Sequence, residues 1–428
     1  IAMKLESFWL DTAPTFHGAE EGPVDGRTDV AIIGGGFTGL STALALAKRG
    51  ATVVVLEAER LVGEASGRNG GQCNAGTLQD YRSLVGSFGV ERARRYYQEF
   101  TAAVDSVERL ASEEHIDCDF NRRGKLKLAS KPAHFNKMVQ TFEALQADGV
   151  DPNVELVPPD CMRDEVGSND YHGGLLQTTS AQLHVGKFGS GLAEAAARRG
   201  VRLYASAPVT GLYRQSGGAW RITTPRGSVD AAQTLVATGG SGSGPFGWFR
   251  RRIIPVGSFI VVTEPLGVER LSRLLPNRRS YVTSNNIGNY FRVTEDNRLL
   301  FGGRARFAMS NVKSDRESGH ILRDSLVRAF PEFADARIDY CWGGSVDMSA
   351  DRMPHAGQHK GLYYSMGYSG HGVQMAVHMG QIMADIMDGN EHANPWGELK
   401  WPPIPGHFGK PWFLPAIGAY YRLQDILR

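Results

Sequence analysis

Residues 29–57 read DVAIIGGGFTGLSTALALAKRGATVVVLE, and this stretch decides the fold. Val30-Ala31-Ile32-Ile33 is an apolar run of strand type that leads into Gly34-Gly35-Gly36-Phe37-Thr38-Gly39. An Ala/Leu-rich segment of helical pattern follows and stops at Gly50, and a second apolar strand, Val53-Val54-Val55-Leu56, ends on Glu57. Strand, glycine turn, helix and strand together form a βαβ unit with a dinucleotide fingerprint. Gly34 permits the tight turn, Gly36 lets a pyrophosphate approach the backbone, and Gly39 lets helix and strand pack closely. The free N–H groups and dipole of the helix start favour phosphate, and a terminal carboxylate suits the hydroxyls of a ribose. The unit alone leaves open which dinucleotide is bound.

The rest of the chain narrows the class. At 428 residues the chain has room for two domains. Hydrophobic residues make up 42% and charged residues 21%, the balance of an ordinary globular protein. A formal net charge of +2 gives no pull toward nucleic acid or a membrane surface. Cys73, Cys118, Cys161 and Cys341 have no metal-ligand or CxxC spacing, so reduced thiols and no metal site are expected. No run has the length of a membrane span and no secretory leader is evident. Ile1-Ala2 ahead of Met3 is set aside as a tag remnant, and a cytoplasmic location is expected.

Beyond Glu57, the run GEASGRNGGQ at 63–72 is too rich in glycine and small polar groups for core, and reads as a loop laid against an extended ligand. Residues 88–116 and 134–147 carry helical patterns, and Lys125-Leu126-Lys127-Leu128 alternates like a half-buried strand. The dinucleotide domain resumes near 180 with a helix at 188–199, a strand at 201–204 and a buried strand, 234–240, that ends in Ala237-Thr238-Gly239-Gly240. From 253 the pattern turns to strands at 253–263, 280–283, 290–293 and 298–303, then a helix at 317–330. Last comes a strand at 361–366, the turn GYSGHG at 367–372, and a helix from Val373 to Met387.

These motifs together resemble the D-amino-acid oxidase superfamily of flavoproteins. Within it, IIPVGSFIVVTEPL (253–266), YFR (290–292), LLFGGR (299–304), WGG (342–344) and the YYRLQDIL tail are most similar to the γ-glutamylputrescine oxidase branch. The resemblance implies a Rossmann-type FAD-binding domain of the α/β class, discontinuous over 1–85, 151–246 and 340–428. An antiparallel β-sheet substrate domain of α+β type would occupy 86–150 and 247–339. It implies FAD rather than NAD, bound non-covalently because Cys341 is out of register with the cysteine that some relatives use for attachment. Gly34, Gly36, Phe37, Thr38 and Gly39 would hold the pyrophosphate, and Glu57 with Ala58 the ribose. Ser66, Gly67, Arg68, Asn69, Gly70, Gly71 and Gln72 would run along the phosphates and flavin. Val209 would meet the adenine, with Thr238 and Gly239 nearby. Gly370, His371, Gly372 and Val373 would bring a helix start to the flavin, favouring its reduced, more negative state.

The resemblance also implies an amine substrate, oxidised at its C–N bond to an imine that water hydrolyses, with oxygen reduced to hydrogen peroxide. Val346 and Gln374 stand where relatives place basic groups for a carboxylate, so an α-amino acid held in that manner is not expected. Tyr290, Arg292, Arg304 and Arg250, with Gln374, are the substrate candidates, and His371, Tyr290, Arg292 and Arg304 the catalytic ones. Relatives that place a lysine near the flavin are matched here only by Leu299 or Leu300. A dehydrogenase with another acceptor therefore stays open, as does an NAD-dependent dehydrogenase that shares the opening motif.

Overall fold

The computed structural model describes residues 3–241, 243–303 and 310–427. Two eight-stranded sheets organise it. In the first, Leu362–Met366, Gly227–Val236, Arg27–Ile33, Val53–Leu56 and Arg202–Tyr204 run parallel in that spatial order. His355–His359 adds an antiparallel edge, and Gly211–Arg214 with Trp220–Thr224 forms an antiparallel arm on Gly227–Val236. A central parallel strand is buried on both faces, and the residues divide accordingly. Val30, Ile32, Val53 and Val55 face one core, while Ala31, Ile33, Val54 and Leu56 face another.

The first core lies under the helices Phe37–Lys48, Val185–Arg198, Val90–Glu113 and Gly372–Met387. Met375, Met379, Met383 and Met387 are buried in it, each contributing about 1.5–3 kcal/mol of apolar burial. The helix Val90–Glu113 presents Tyr96, Phe100, Val104 and Val107 to this core and packs on Gly372–Met387.

The second sheet has the order Ile338–Met348, Ile254–Thr263, Leu299–Gly303, Asn289–Val293, Ser280–Thr283, Lys125–Leu128, Gly174–Gln177 and Val154–Val157. Neighbours are antiparallel except for the parallel pair Ser280–Thr283 and Lys125–Leu128. Sheet membership moves the expected boundaries in two places. Strands 154–157 and 174–177 belong to the second sheet although the segment from 151 was expected to be dinucleotide domain. So does the eleven-residue strand Ile338–Met348, which crosses the expected boundary at 340. Two central glycines hid this strand. Gly344 admits Arg68, whose carbonyl would lie 3.3 Å from a Cβ there, and Gly343 admits the side chains of Ser310 and Asp315. Across the junction Arg68 Nε donates to the Gly343 carbonyl at 2.7 Å and Trp342 Nε1 to the Arg68 carbonyl at 2.9 Å.

One face of this sheet carries Tyr281, Phe291 and Phe301, stacked at 4.9 and 5.6 Å between centroids, over the helix Val312–Ala329. The opposite face looks toward the first sheet. Between them lies the site. Among the described residues no helix is long and apolar enough to cross a membrane.

Candidate active site

A cavity of about 1530 Å³ runs between the two sheets, larger than the roughly 300–1,000 Å³ of a typical small-ligand pocket. Its first end is the fingerprint. Gly34 has φ +113, and a Cβ there would lie 2.4 Å from the Ala237 carbonyl; one on Gly39 would lie 1.9 Å from the Gly34 carbonyl. Only glycine leaves the phosphate loop this tight. Gly34, Gly36, Phe37 and Thr38 line the cavity, whereas Gly39 is packed behind them. The Phe37 N–H donates to Ser66 Oγ at 3.0 Å, which ties the helix start to the following loop.

Glu57 lines the cavity with Ala58, and its carboxylate accepts from the Gly35 N–H at 2.7 Å and the Glu59 N–H at 3.0 Å. It is thereby aimed, with lone pairs left for ribose hydroxyls. Val209, Thr238 and Gly239 line the same end.

In the 63–72 loop, Ser66, Arg68, Asn69, Gly70 and Gln72 reach the cavity, and Gly67 and Gly71 do not. A Cβ on Gly67 would lie 2.2 Å from the Val62 carbonyl, and one on Gly71 2.6 Å from that of Leu183. These two glycines serve packing. The N-terminal aromatic segment holds the loop from behind: Ser7 Oγ donates to the Gly67 carbonyl and Trp9 Nε1 to that of Asn69, both at 2.6 Å.

The late turn closes the cavity from the other side. Gly370, His371, Gly372 and Val373 line it at the start of the sixteen-residue helix Gly372–Met387. Asp347 accepts from the Gly367 N–H at 2.7 Å, and burial pushes its carboxyl up to about 6. Tyr368 OH lies 2.8 Å from Thr38 Oγ1 and 2.9 Å from Ser365 Oγ, joining the last turn to the first helix. His371 packs edge-on against Phe100 at 5.5 Å, and its buried Nδ1 has no partner. Burial, aided by Lys125, lowers its pKa to about 3, so the imidazole that lines the cavity is neutral.

Tyr290 lines the cavity, its hydroxyl 3.0 Å from Ser258 Oγ. Arg292 does not line it. Alternation puts both on one face of their strand, but the 69–72 loop and the N-terminal segment cover Arg292. Its Nη1 donates to the Gly71 and Leu183 carbonyls at 2.7 and 2.9 Å, and its guanidinium lies 5.5 Å from the Trp9 ring. Burial lowers its pKa to about 9. Arg292 therefore supports the loop and does not reach a substrate in this cavity. Arg250 also lies outside the cavity, against Gly409. Gln374 is buried, with Nε2 donating to the Asn74 carbonyl at 2.6 Å, and it too is off the lining. Arg304 falls outside the described residues. Val346 lines the cavity, and none of the four cysteines does.

Among the described residues, the lysines and arginines that line the cavity are Lys125, Lys127, Lys137, Arg68 and Arg352, and of these Lys125 and Lys127 share one strand whose pattern alone does not reveal them. The KLKL alternation predicts a half-buried strand, and the structure puts Leu126 and Leu128 in the outer core and the two lysines on the cavity lining. Lys125 is buried, donates to the Ala75 carbonyl at 2.9 Å, and has its pKa lowered to about 7 by burial. Burial lowers that of Lys127 as well. The only available signal was the placement of this strand inside an inserted domain. At the mouth, Tyr421, Gln424 and Asp425 of the helix Leu414–Leu427 complete the wall. Asp425 accepts from the backbone N–H groups of Asn286 and Ile287 at 2.9 Å.

A fingerprint cradle fitted to a dinucleotide and a helix start with an orphan imidazole face each other across one cavity, closed by an antiparallel sheet. That architecture defines an oxidoreductase that carries an extended flavin dinucleotide. The chain belongs to the FAD dependent oxidoreductase family known as DAO, whose pattern matches residues 29–386, and its cofactor is FAD. It is 32% identical to the gamma-glutamylputrescine oxidoreductase of Escherichia coli over 93% of each chain. To the probable oxidoreductase OrdL of Haemophilus influenzae it is 30% identical, over 94% of this chain and 93% of that one. In fold it is similar to the glycine oxidase of Geobacillus kaustophilus, with a TM-score of 0.75 at 20% identity, over 89% of this chain and all of that one.

Proposed function

We propose that this enzyme oxidises the C–N bond of a primary or secondary amine that carries an anionic group, passing electrons through FAD to oxygen with release of hydrogen peroxide. FAD supplies the hydride acceptor. On this reading Gly34, Gly36, Phe37, Thr38 and Glu57 hold its pyrophosphate and adenosine, and the 66–72 loop with Gly370–Val373 its flavin, without a covalent link. The observation that carries the reading is that Tyr290, Lys125 and Lys127 line the same cavity as Gly370–Val373 at the start of the late helix. The similarity to a gamma-glutamylputrescine oxidoreductase along nearly the whole chain supports an amine.

The chain's own residues then have defined tasks. Tyr290 and the sheet exclude water and orient the substrate. The neutral His371 offers a hydrogen bond without repelling an incoming ammonium. Lys125, held near neutrality beside His371, takes the proton that the substrate must lose before its carbon can release a hydride. A cytoplasmic location belongs to the same proposal. The test is anaerobic mixing with γ-glutamyl diamines, N-substituted glycines and D-amino acids, followed by air. Bleaching of the oxidised flavin's visible absorption by an amine and prompt recovery with peroxide support the proposal. Bleaching without peroxide points to a dehydrogenase, and no bleaching by any amine refutes the substrate class.

A further inference from the structure

The strand Lys125–Leu128 sends two ammonium groups into an enclosed chamber, and their surroundings differ. Lys125 donates to the Ala75 carbonyl at 2.9 Å and sits beside His371. Lys127 lies roughly 6.6 Å farther along the strand and lines the same cavity, as do Met138 and Leu145. Among the described residues it has no hydrogen-bond or ion-pair partner. The nearest acid, Asp80, is engaged as a helix cap, accepting from the Arg82 and Ser83 N–H groups at 2.9 and 3.2 Å. The phenol of Tyr97, which also lines the chamber, is occupied by Asp151 at 3.0 Å and Gln177 at 2.7 Å. Lys127 feels the Asp80 carboxylate only from beyond ion-pair distance, and an anion entering the cavity offers this partly desolvated ammonium a direct partner.

We propose that Lys127 reads the carboxylate of the substrate and selects an amine whose carboxylate lies several bonds away from the reacting C–N bond. An α-carboxylate would sit next to the reacting carbon, near Lys125 and His371, and would leave Lys127 unpaired. A γ-glutamyl diamine or another long ω-amino acid reaches both ends of the chamber. The assignment rests on the amine reading above and adds to it the residue that sets substrate length.

The test uses the FAD-loaded full chain as wild type, Lys127→Met and Lys127→Arg, with FAD content and melting temperature checked for each. Two readouts are taken: the kcat/KM ratio between a γ-glutamyl diamine and its carboxamide analogue, and the affinity for glutarate by titration calorimetry. Loss of a charge-assisted hydrogen bond predicts that Lys127→Met lowers the acid-over-amide ratio by about ten- to a hundredfold and weakens glutarate by a similar factor. Lys127→Arg retains most of both. An unchanged ratio, or glutarate bound equally well by wild type and Lys127→Met, overturns the proposal, as does a wild type that binds no glutarate. If no amine reduces the flavin yet glutarate binding depends on Lys127, the amine reading falls and the anion site stands.

Discussion

Replacing Lys125 with Met separates the charge of the inner chamber from its shape. The ammonium is buried, and its pKa falls from an ordinary 10.5 to about 7. A lysine with a depressed folded-state pKa binds fewer protons in the native than in the unfolded chain between those two values. Its contribution is therefore fully present above pH 10.5 and is lost as pH falls through 7. Across that window stability changes by about 1.4 kcal/mol per pH unit, about 5 kcal/mol in all. Methionine fills similar volume and cannot titrate. It forfeits the bond to the Ala75 carbonyl, about 1 kcal/mol. Urea unfolding of the FAD-saturated protein from pH 6.5 to 10, wild type against Lys125→Met, measures the difference. The variant should be the more stable near pH 6.5 by on the order of 3–4 kcal/mol, and the advantage should vanish as the pH approaches 10. Parallel stability curves over this range would refute the burial argument for Lys125.

Asp347→Asn should act in the opposite pH window. Its folded carboxyl titrates near 6 rather than 3.8, so wild type loses about 3 kcal/mol as pH rises from 3.8 to 6, and the variant should lack that slope in thermal unfolding. Glu57→Gln removes the charge but keeps one acceptor, and should weaken FAD by about ten- to a hundredfold in a fluorescence titration of apoprotein. Arg292→Met forfeits the bonds to the Gly71 and Leu183 carbonyls but also removes a guanidinium whose pKa burial has lowered to about 9, so the two effects should offset and urea stability near neutral pH should change by no more than about 1 kcal/mol. The acid-over-amide preference should persist in it, since the side chain is off the cavity. Tyr368→Phe should cost about 1–2 kcal/mol in the same unfolding assay through its links to Thr38 and Ser365.

The parts of the fold that a local pattern determines were legible in the sequence. Strand, turn and helix at 29–57 need only neighbours in sequence, and the late helix declares itself by its turn and its spacing of methionines. What escaped was decided by distant chain. Ile338–Met348 carries Gly343 and Gly344 because distant chain takes up the space a side chain would fill, Arg68 at Gly344 and the side chains of Ser310 and Asp315 at Gly343. Arg292 alternates onto the expected face, yet a loop and an N-terminal segment that no strand pattern foretells cover it. Lys125 and Lys127 carry the opposite lesson. Alternation identified the strand correctly, but which face meets water depends on what is laid over the sheet, and here both faces are enclosed.

The contact between Tyr368 and Thr38 also sets an order in time. Leu362–Met366 pairs with Thr234, Leu235 and Val236, next to the central strand Arg27–Ile33, whereas Trp220–Thr224 already covers residues 227–231, so the last residues of Gly227–Val236 stay open on one side until residue 366 has been made. At about 5–20 residues per second the ribosome needs roughly 6–25 s to cover that interval. For those seconds the short edge Thr234-Leu235-Val236 lies bare on the nascent chain, the kind of template on which chains pair wrongly. The enzyme's yield in a cell is thus governed by a strand and helix that arrive last, and FAD cannot find a finished site before they do.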